Sequence, residues 1–214
     1  MGAREPRRPA GPRTDRRRHG GGEVTAGALD TDFTRHFRTV MGNFCSGITV
    51  ISAMEDGAPV GFTCQSFFSV SLDPPLVAFS AAKTSTTFPR IRASATCCVN
   101  VLSAEQEPVS RSFARSGGDK WAGIAWHPSA HNRDPIVDGA LAWVECSIRA
   151  EFDAGDHVIV LCDVLDVGCE ARETGPLLYF RGRYGVLAES RPAESGRPVR
   201  SRRRPHGGEL PRTP

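Results

Sequence analysis

The sequence lacks any long apolar run, and this lack already excludes one large class of proteins. A helix that spans a bilayer needs roughly 18–20 apolar residues in succession, whereas this chain has only short apolar runs and a hydrophobic content of 39%. The N-terminus is rich in Arg, Pro and Gly and has no apolar segment of the kind that a secretory signal requires. We therefore expect no membrane association and a cytoplasmic location.

The chain also lacks the cysteine spacing of zinc ribbons and the even cysteine count of disulfide scaffolds. Its seven cysteines include no Cys-x-x-Cys pair, so we expect buried, reduced thiols. His127 and His131 lie four residues apart, but Pro128 between them indicates a loop rather than a pair of ligands on one helix. The sequence therefore predicts no metal site.

Excess basic charge is confined to the two ends of the chain. The 27 basic and 24 acidic residues give a net charge of +3. Residues 1–28 and 189–214 each carry seven arginines and three acidic residues, which leaves 13 basic and 18 acidic residues in 29–188. A nucleic-acid-binding domain has its basic charge on the folded part, so a nucleic-acid partner is disfavoured.

The two ends differ from the middle in composition as well as in charge. Both are dense in Arg, Pro and Gly and have no apolar periodicity, so they cannot bury enough apolar surface to offset their backbone entropy. We predict a disordered Arg/Pro/Gly-rich tail at 1–28, one folded domain at 29–188 and a disordered Arg-rich tail at 189–214.

The middle of the chain has few helical patterns and many short strand patterns. An apolar stripe at helical spacing predicts a helix from Thr31 to Phe44, and two shorter helices are predicted at 86–93 and 105–115. Apolar runs between turn residues predict strands at 48–54, 59–63, 68–72, 76–81, 96–102, 141–152, 157–167, 177–180 and 184–187. Such a pattern, with no alternation of strands and helices, predicts a mainly β, antiparallel barrel.

The motifs of common enzyme classes are absent. The sequence has no Gly-x-Ser-x-Gly nucleophile elbow and no Gly-x-Gly-x-x-Gly dinucleotide motif. Small polar residues instead occupy strand ends at 61–69 and 80–86, where hydroxyls, backbone N–H groups and Lys83 could bind a phosphate. Gly61, without a Cβ, would let a flat ring approach the backbone. Taken alone, this pattern leaves a phosphate site and ordinary solvated strand ends equally open.

A set of motifs in one order resembles a known family. These motifs are Ser-Gly-Ile-Thr-Val at 46–50, Gly-Phe-Thr-Cys-Gln-Ser-Phe-Phe-Ser-Val-Ser-Leu-Asp-Pro-Pro-Leu at 61–76, Asn-Val-Leu at 100–102, Gly-Asp-His at 155–157, Pro-Leu-Leu-Tyr at 176–179 and Gly-Arg-Tyr at 182–184. Together they resemble the short-chain flavin reductase family, the FMN-binding split-barrel reductases of two-component flavin monooxygenases. The resemblance extends from about Phe33 to Leu187.

The resemblance implies an NAD(P)H:flavin oxidoreductase. In such an enzyme NADH or NADPH reduces FMN or FAD by hydride transfer from nicotinamide C4 to flavin N5, and the reduced flavin leaves to supply a partner flavin-dependent monooxygenase. Ring stacking is the main requirement of that transfer, so a strong general acid is not needed. The family also pairs its split barrels as homodimers with the flavin at or near the interface.

The resemblance also assigns residues to the site, by position in the matching motifs. His157 would lie over the open face of the flavin, near the nicotinamide, as the catalytic residue. The expected cofactor-binding residues are Ser46, Gly47 and Ile48 at the ribityl chain or ring, Thr63, Cys64, Gln65 and Ser66 along the isoalloxazine, Ser80, Lys83, Ser85 and Thr86 at the phosphate, and Arg181, Arg183 and Tyr184 at the dinucleotide's path.

Two alternatives use a similar barrel for another purpose, because a fold does not fix a function. One is a pyridoxamine-phosphate oxidase-like enzyme or an FMN-binding electron carrier that keeps its flavin. The other is an oligonucleotide-binding barrel, which needs aromatic stacking platforms on its strands. The acidic balance of residues 29–188 counts against the second.

Overall fold

A computed structural model of the chain describes residues 31–170 and 173–188. The predictions made for 1–28 and 189–214 lie outside the described residues. In chain order the elements are α1 (Thr31–Met41), β1 (Ser46–Gly47), β2 (Thr49–Glu55), β3 (Ala58–Cys64), β4 (Phe68–Leu72), β5 (Pro75–Ala82), α2 (Phe88–Ser94), β6 (Thr96–Val101), a 3₁₀ turn (Ala104–Gln106), α3 (Glu107–Ala114), β7 (Trp126–Pro128), β8 (Pro135–Val137), β9 (Ala142–Ala154), β10 (His157–Cys169), β11 (Leu178–Phe180) and β12 (Arg183–Gly185).

Helix α1 has the apolar stripe that its sequence predicts, with Phe33, Phe37 and Met41 all more than half exposed. It ends at Met41 rather than at Phe44, because Gly42 and Asn43 follow, and both residue types favour the end of a helix. Of the described helices, none is long and apolar enough to cross a membrane.

A seven-stranded antiparallel sheet organises residues 49–169. Its strand order is β3-β2-β6-β9-β10-β5-β4. The long hairpin β9–β10 turns at Gly155 and Asp156, between the strands predicted at 141–152 and 157–167. Gly155 has φ of +68°, a conformation that glycine adopts without strain. The predicted mainly β, antiparallel architecture is confirmed.

Two smaller sheets were not foreseen in full. Strand β1 pairs with β11, which pairs with β12, and β7 forms a separate hairpin with β8. Strands β1, β7 and β8 have only two or three residues each and contain Gly or Pro, which indicate turns. They were therefore missed. Strands β11 and β12 are as short, but they overlap the apolar runs at 177–180 and 184–187 and were found, as were the longer strands, to within a few residues.

The apolar core lies in two clusters of buried side chains. The larger cluster joins the inner face of the seven-stranded sheet to α2, through residues such as Phe79, Phe88 and Val160. The smaller one joins Ile48, which lies between β1 and β2, and Val50 of β2 to Phe113 of α3. Ile48 donates its backbone N–H to Leu177 O.

Five of the seven cysteines are buried and all seven are free thiols. The prediction of buried, reduced thiols is confirmed for Cys64, Cys97, Cys98, Cys146 and Cys162. It is wrong in part for Cys45 and Cys169, which are exposed. Cys45 lies just before a short strand and Cys169 at the end of a long one, where side chains reach solvent.

Candidate functional site

A cavity of about 450 Å³, hereafter the main cavity, opens where β3, β5 and β10 meet two loops. Its lining comes from these strands, from the segment before α2 and from the C-terminal end of α3. It brings together eight of the residues expected at the flavin and nicotinamide: Thr63, Cys64, Gln65, Ser66, Ser80, Ser85, Thr86 and His157. The remaining lining residues are Phe62, Ala81, Ala82, Thr84, Thr87, Phe113, Ala114, Arg115, Ser116 and Lys120.

The Ser66 hydroxyl ties one wall of the main cavity to another. Its oxygen accepts hydrogen bonds from Ser80 N at 2.9 Å and from Ser80 Oγ at 2.7 Å, and the same Oγ donates to Ser80 O at 3.2 Å. The loop after β3 is therefore fixed against β5. These hydroxyls are not simply solvated strand ends, since they hold the shape of the cavity.

Cys64 forms a neutral, buried part of the cavity floor. Its Sγ lies 3.3 Å from Ser66 Oγ and 3.7 Å from Ser80 O. Burial raises the pKa of this thiol above its ordinary value, an effect that hydrogen bonds to Ser66 and Ser80 only partly offset. The thiol is thus protonated at neutral pH and presents polarisable, uncharged sulfur to whatever occupies the cavity.

The segment at 84–87 is a row of four hydroxyl side chains between β5 and α2. Ser85 Oγ accepts the backbone N–H groups of Thr87 at 3.3 Å and Phe88 at 3.1 Å. The sequence predicts capping by a hydroxyl at Thr84, Ser85 or Thr86, and it is Ser85 that accepts these bonds. Its hydroxyl proton remains for a ligand.

Lys120 is a cavity residue that sequence reasoning missed. Its Nζ donates to Thr87 Oγ1 at 3.1 Å, Gly61 O at 3.3 Å and Phe113 O at 3.4 Å. Burial lowers the pKa of this ammonium, and the positive charge of Arg90 lowers it further. The chain has only two lysines, so each of them was a candidate for a phosphate, but only Lys83 precedes a Ser/Thr-rich segment.

Lys83 lies outside the lining of the main cavity. Its Nζ forms an ion pair with Asp153 Oδ1 at 2.7 Å across the β9–β10 turn, with 42% of the side chain exposed. The register explains this position, because the backbone N–H of Lys83 bonds to Asp156 O at the same turn. The cations that do line the cavity are Lys120 and Arg115.

His157 lines the main cavity from the first position of β10. Its Nδ1 lies 2.7 Å from Asp156 Oδ1, and 45% of its side chain is exposed. The neighbouring carboxylate orients the ring, and Nε2 is the ring nitrogen that remains for a ligand. His157 therefore belongs both to the β9–β10 turn and to the lining of the main cavity.

The other expected residues lie around a second, more apolar cavity of about 710 Å³. Arg181, Arg183 and Tyr184 line it, and Ser46 and Gly47 pair with β11 beside it. Ile48 is buried in the smaller core cluster instead. Within one chain, therefore, the predicted ribityl and dinucleotide residues do not share a cavity with His157.

One hydrogen-bonded connection links the two cavities through α3. Tyr184 Oη lies 2.8 Å from Ser110 Oγ, and Ser110 O accepts the Thr63 hydroxyl at 2.6 Å. The Arg111 guanidinium stacks on the Tyr184 ring at 4.8 Å. Helix α3 thus fixes a wall of the main cavity and the β12 segment at the same time.

Gly61 does not have the role that the sequence suggested. A Cβ there would lie 2.9 Å from Phe113 Cε1 and 3.1 Å from Ile51 O. The ring that needs this glycine is therefore that of Phe113, which packs α3 onto β3. Close packing of a helix on a strand and close approach of a ligand produce the same sequence signal.

The histidine pair of the sequence separates in the structure. His127 Nδ1 lies 2.7 Å from Asp138 Oδ1, whereas His131 lies near Glu145 and Asp166, with candidate ligand atoms all within 4.8 Å of one another. The buried Glu145 carboxylate already accepts bonds from Ser129 Oγ and Asn132 N, both at 2.5 Å. Its role here is to hold the β7–β8 loop.

Comparison with known proteins gives the same interpretation for most of the chain. Residues 41–188 match the model of the flavin reductase like domain. The flavin-dependent monooxygenase reductase subunit HsaB of Rhodococcus jostii (strain RHA1) is 46% identical over 165 residues, which are 77% of this chain and 82% of that protein.

Solved structures share the fold over the same region. Nitrilotriacetate monooxygenase component B from Mycobacterium thermoresistibile has a TM-score of 0.72 at 42% identity, over 76% of this chain and 92% of that one. The Streptomyces globisporus C-1027 NADH:FAD oxidoreductase SgcE6, in complex with NAD and FAD fragments, has a TM-score of 0.70 at 32% identity, over 78% and 99%.

Proposed function

The chain belongs to the family of flavin reductase-like domains, and on that premise we propose that it reduces FMN or FAD with NADH or NADPH in the main cavity. The observation that carries the proposal is the gathering of eight expected residues around one cavity. This interpretation is supported over the oligonucleotide-binding barrel, because the family match covers residues 41–188.

The main cavity fits a flavin in size and in chemistry. Its volume of about 450 Å³ lies within the range of roughly 300–1,000 Å³ that small-molecule sites occupy. The hydroxyls at 84–87 with Lys120 and Arg115 suit a phosphate, while Phe62, Cys64 and Ala81 suit a flat apolar ring. We therefore assign the phosphate to the side of Lys120 and Arg115 rather than to Lys83.

When both are bound, the nicotinamide would supply a hydride and the flavin would accept it at N5. Thr63 and Ser66, held by Ser110 and Ser80, fix the walls against which the rings are positioned. The Cys64 thiol is neutral, so it adds no negative charge that would repel the negative charge of a reduced flavin ring. His157 covers the open side, with its orientation fixed by Asp156.

The direct test is anaerobic NADH oxidation by the purified protein, with and without added FMN. We expect oxidation only when FMN is present, at a rate that saturates with flavin in the micromolar range. Flavin that stays bound through extensive dialysis would instead indicate an FMN-binding carrier. No NADH oxidation with either FMN or FAD would refute the proposal.

His157→Ala tests the assignment of the nicotinamide face. The substitution should leave FMN affinity within about twofold, since the phosphate is assigned to Lys120 and Arg115, and should slow flavin reduction or weaken NADH binding, because misplaced rings are costly. Stopped-flow reduction of the preformed FMN complex measures both quantities. Wild-type values for both would show that His157 only forms the turn.

We also propose that two copies of the chain pair through the outer face of the large sheet. Phe68, Phe152 and Ile159 lie on that face with exposed fractions of 53%, 53% and 38%, opposite the core residues Val160 and Phe79. Exposed apolar patches of this kind mark interaction surfaces. Ser80 is paired with Ile159 and also lines the main cavity, so the second copy would lie beside the flavin.

Light scattering after size exclusion tests the homodimer. The wild-type protein should have twice the mass of the chain, and Ile159→Glu should reduce it to that of one chain without changing the circular dichroism spectrum. A wild-type monomer at micromolar concentration would refute the homodimer while leaving flavin reduction open.

The reduced flavin would leave for a partner flavin-dependent monooxygenase, in the cytoplasm. Support comes from a relative that is the reductase subunit of a flavin-dependent monooxygenase and from seven cysteines that are all free thiols. Released reduced flavin can be measured without knowing the partner. In air, each NADH oxidised should yield one hydrogen peroxide when no oxygenase is present.

A further inference from the structure

Three metal-binding side chains meet on the outer face of the large sheet, and none of them lines the main cavity. His131 comes from the loop between β7 and β8, Glu145 from β9 and Asp166 from β10. One candidate ligand atom of each lies within 4.8 Å of the other two. The spacing of His127 and His131 in the sequence does not indicate this set, because its members come from three separate elements.

The pairing of β9 with β10 places two carboxylates side by side. Glu145 and Asp166 are direct partners in the register, next to a bulge at Leu165. Like charges directly opposite each other destabilise a sheet, and Glu145 is fully buried. Of the described Lys and Arg residues, none forms an ion pair with either carboxylate. Buried charges are normally paired or bound to a metal, so this pair of strands calls for a cation.

The three side chains keep atoms for a further ligand. Glu145 Oε1 accepts the Ser129 hydroxyl and the Asn132 N–H, both at 2.5 Å. Glu145 Oε2 has only the longer part, at 3.3 Å, of a bond that His131 N shares between both oxygens. Asp166 Oδ1 accepts the backbone N–H of the next residue, and its Oδ2 lies 3.8 Å from His131 Nε2. That distance is too long for a hydrogen bond but near the roughly 3.3 Å that separates two ligands of one tetrahedral ion with bonds of about 2.0–2.1 Å.

A third acidic group adds to the negative charge around Glu145. Asp134 belongs to the same β7–β8 loop, and its buried Oδ2 lacks a hydrogen-bond partner within the described part of the chain. Burial raises the pKa of Asp134 to about 6, and the negative charge of Glu145 contributes to the rise. The two buried carboxyls are therefore close enough to interact. A cation bound at Glu145 would offset their repulsion.

We propose that His131, Glu145 and Asp166 bind one Zn²⁺ ion, which fastens the β7–β8 loop to β9 and β10. One imidazole and two carboxylates suit Zn²⁺, because this ion takes nitrogen and oxygen ligands in a tetrahedral arrangement and can keep water at one position. Mg²⁺ and Ca²⁺ instead prefer sets made of oxygen alone. The charge of the ion would offset the repulsion that the β9–β10 register creates between the two carboxylates.

The test is a titration of the full chain with zinc chloride, after dialysis against EDTA and without flavin or NADH. We expect one Zn²⁺ per chain with a dissociation constant in the micromolar range or below, and no displacement by millimolar Mg²⁺. His131→Gln and Asp166→Asn should each raise that constant by at least about 10-fold, since even the outer partners of metal ligands contribute about 10- to 100-fold. Both side chains are 42% or more exposed, so neither substitution should unfold the protein, which circular dichroism checks.

His127→Gln is the matched control on the same hairpin. His127 Nδ1 also lies close to a carboxylate, 2.7 Å from Asp138 Oδ1, and both side chains are about half exposed. Within the described residues this pair has no third ligand. The control should therefore bind Zn²⁺ like the wild type. Equal weakening by His127→Gln and His131→Gln would show binding to scattered surface histidines and would overturn the site.

Two further measurements do not depend on the titration. Zn²⁺ at 100 times its dissociation constant should raise the melting temperature of the wild type by about 5–10 °C, reversibly with EDTA, and should leave those of His131→Gln and Asp166→Asn unchanged. Co²⁺ in place of Zn²⁺ should give a spectrum without sulfur-to-cobalt charge-transfer bands, since the ligands are nitrogen and oxygen. Such bands would identify the exposed Cys45 or Cys169 as ligands and refute the assignment, as would the absence of Zn²⁺ binding below millimolar concentration.

Discussion

Gly61→Ala is the substitution whose cost the structure defines best. The added Cβ would lie 2.9 Å from Phe113 Cε1 and 3.1 Å from Ile51 O. The first contact is closer than real Cβ atoms come without a shift, and the second is tighter than most real Cβ contacts. Ile51 is fully buried in the large sheet and its backbone is paired on both sides, so the Phe113 ring and α3 would have to move.

The expected loss is about 1–3 kcal/mol of the free energy of unfolding, the usual cost of overpacking a well-packed core. An alanine in a strand would otherwise gain about 0.5–1 kcal/mol over glycine, so the net loss should lie between about 0 and 2.5 kcal/mol, with a middle value of about 1 kcal/mol. Phe113 and Thr63 both line the main cavity. A shift of α3 should therefore also weaken FMN binding. The size of that effect would show how far the shape of the main cavity depends on the packing of Phe113 on Gly61.

Urea denaturation of the flavin-free protein measures the first effect, and FMN titration measures the second. Gly47→Ala is the matched control, since nothing lies within 4 Å of a Cβ built there, and it should change stability by less than about 1 kcal/mol. Gly61→Ala combined with Phe113→Leu should regain part of the loss, because the shorter side chain clears the clash. If Gly61→Ala is as stable as wild type but fails to bind FMN, the glycine serves the flavin ring and the packing argument is wrong.

The buried carboxyl of Asp134 should make stability depend on pH: burial raises its pKa from 3.8 to about 6, so the folded state binds its proton more tightly than the unfolded state. Stability should then fall by the order of 2 kcal/mol as pH rises from about 4 to 6, and Asp134→Asn should abolish that part of the slope in urea titrations at pH 4.5 and 7.5; an unchanged slope would contradict this. Lys120→Met should raise the KM for FMN about 10-fold or more and lower the free energy of unfolding, because it removes a charge and three hydrogen bonds. Lys83→Met should change the KM for FMN by less than about twofold and leave the free energy of unfolding nearly unchanged, since Lys83 pairs with the exposed Asp153. A larger increase in KM for Lys83→Met than for Lys120→Met would show that Lys83 is the residue that binds the phosphate. Ser66→Ala should raise the KM for flavin with little change in maximal rate, because it frees the loop after β3 from Ser80, and equal KM values would show that the loop is held by other contacts.

The long elements could be read from the sequence because each has enough residues to show a period. The β9–β10 hairpin, with thirteen residues in each strand, and the apolar stripe of α1 are of this kind. The strands β1, β7 and β8 could not be predicted, because each contains Gly or Pro, which indicate turns, and their pairing depends on distant partners such as Leu178 for Gly47.

The sequence alone determined which residue types supply the candidate site, because the Thr63–Ser66 and Ser80–Thr86 motifs stand at strand ends whatever the register. Only the tertiary structure decided which charged and aromatic groups join them. The β5–β10 register turns Lys83 toward Asp153. A loop brings Lys120 to Thr87, 33 residues earlier in the chain, and the packing of α3 on β3 gives the space above Gly61 to Phe113. Local patterns record the chemistry of neighbours in the chain, whereas contacts between distant segments depend on how strands pair and helices pack, which no local pattern contains.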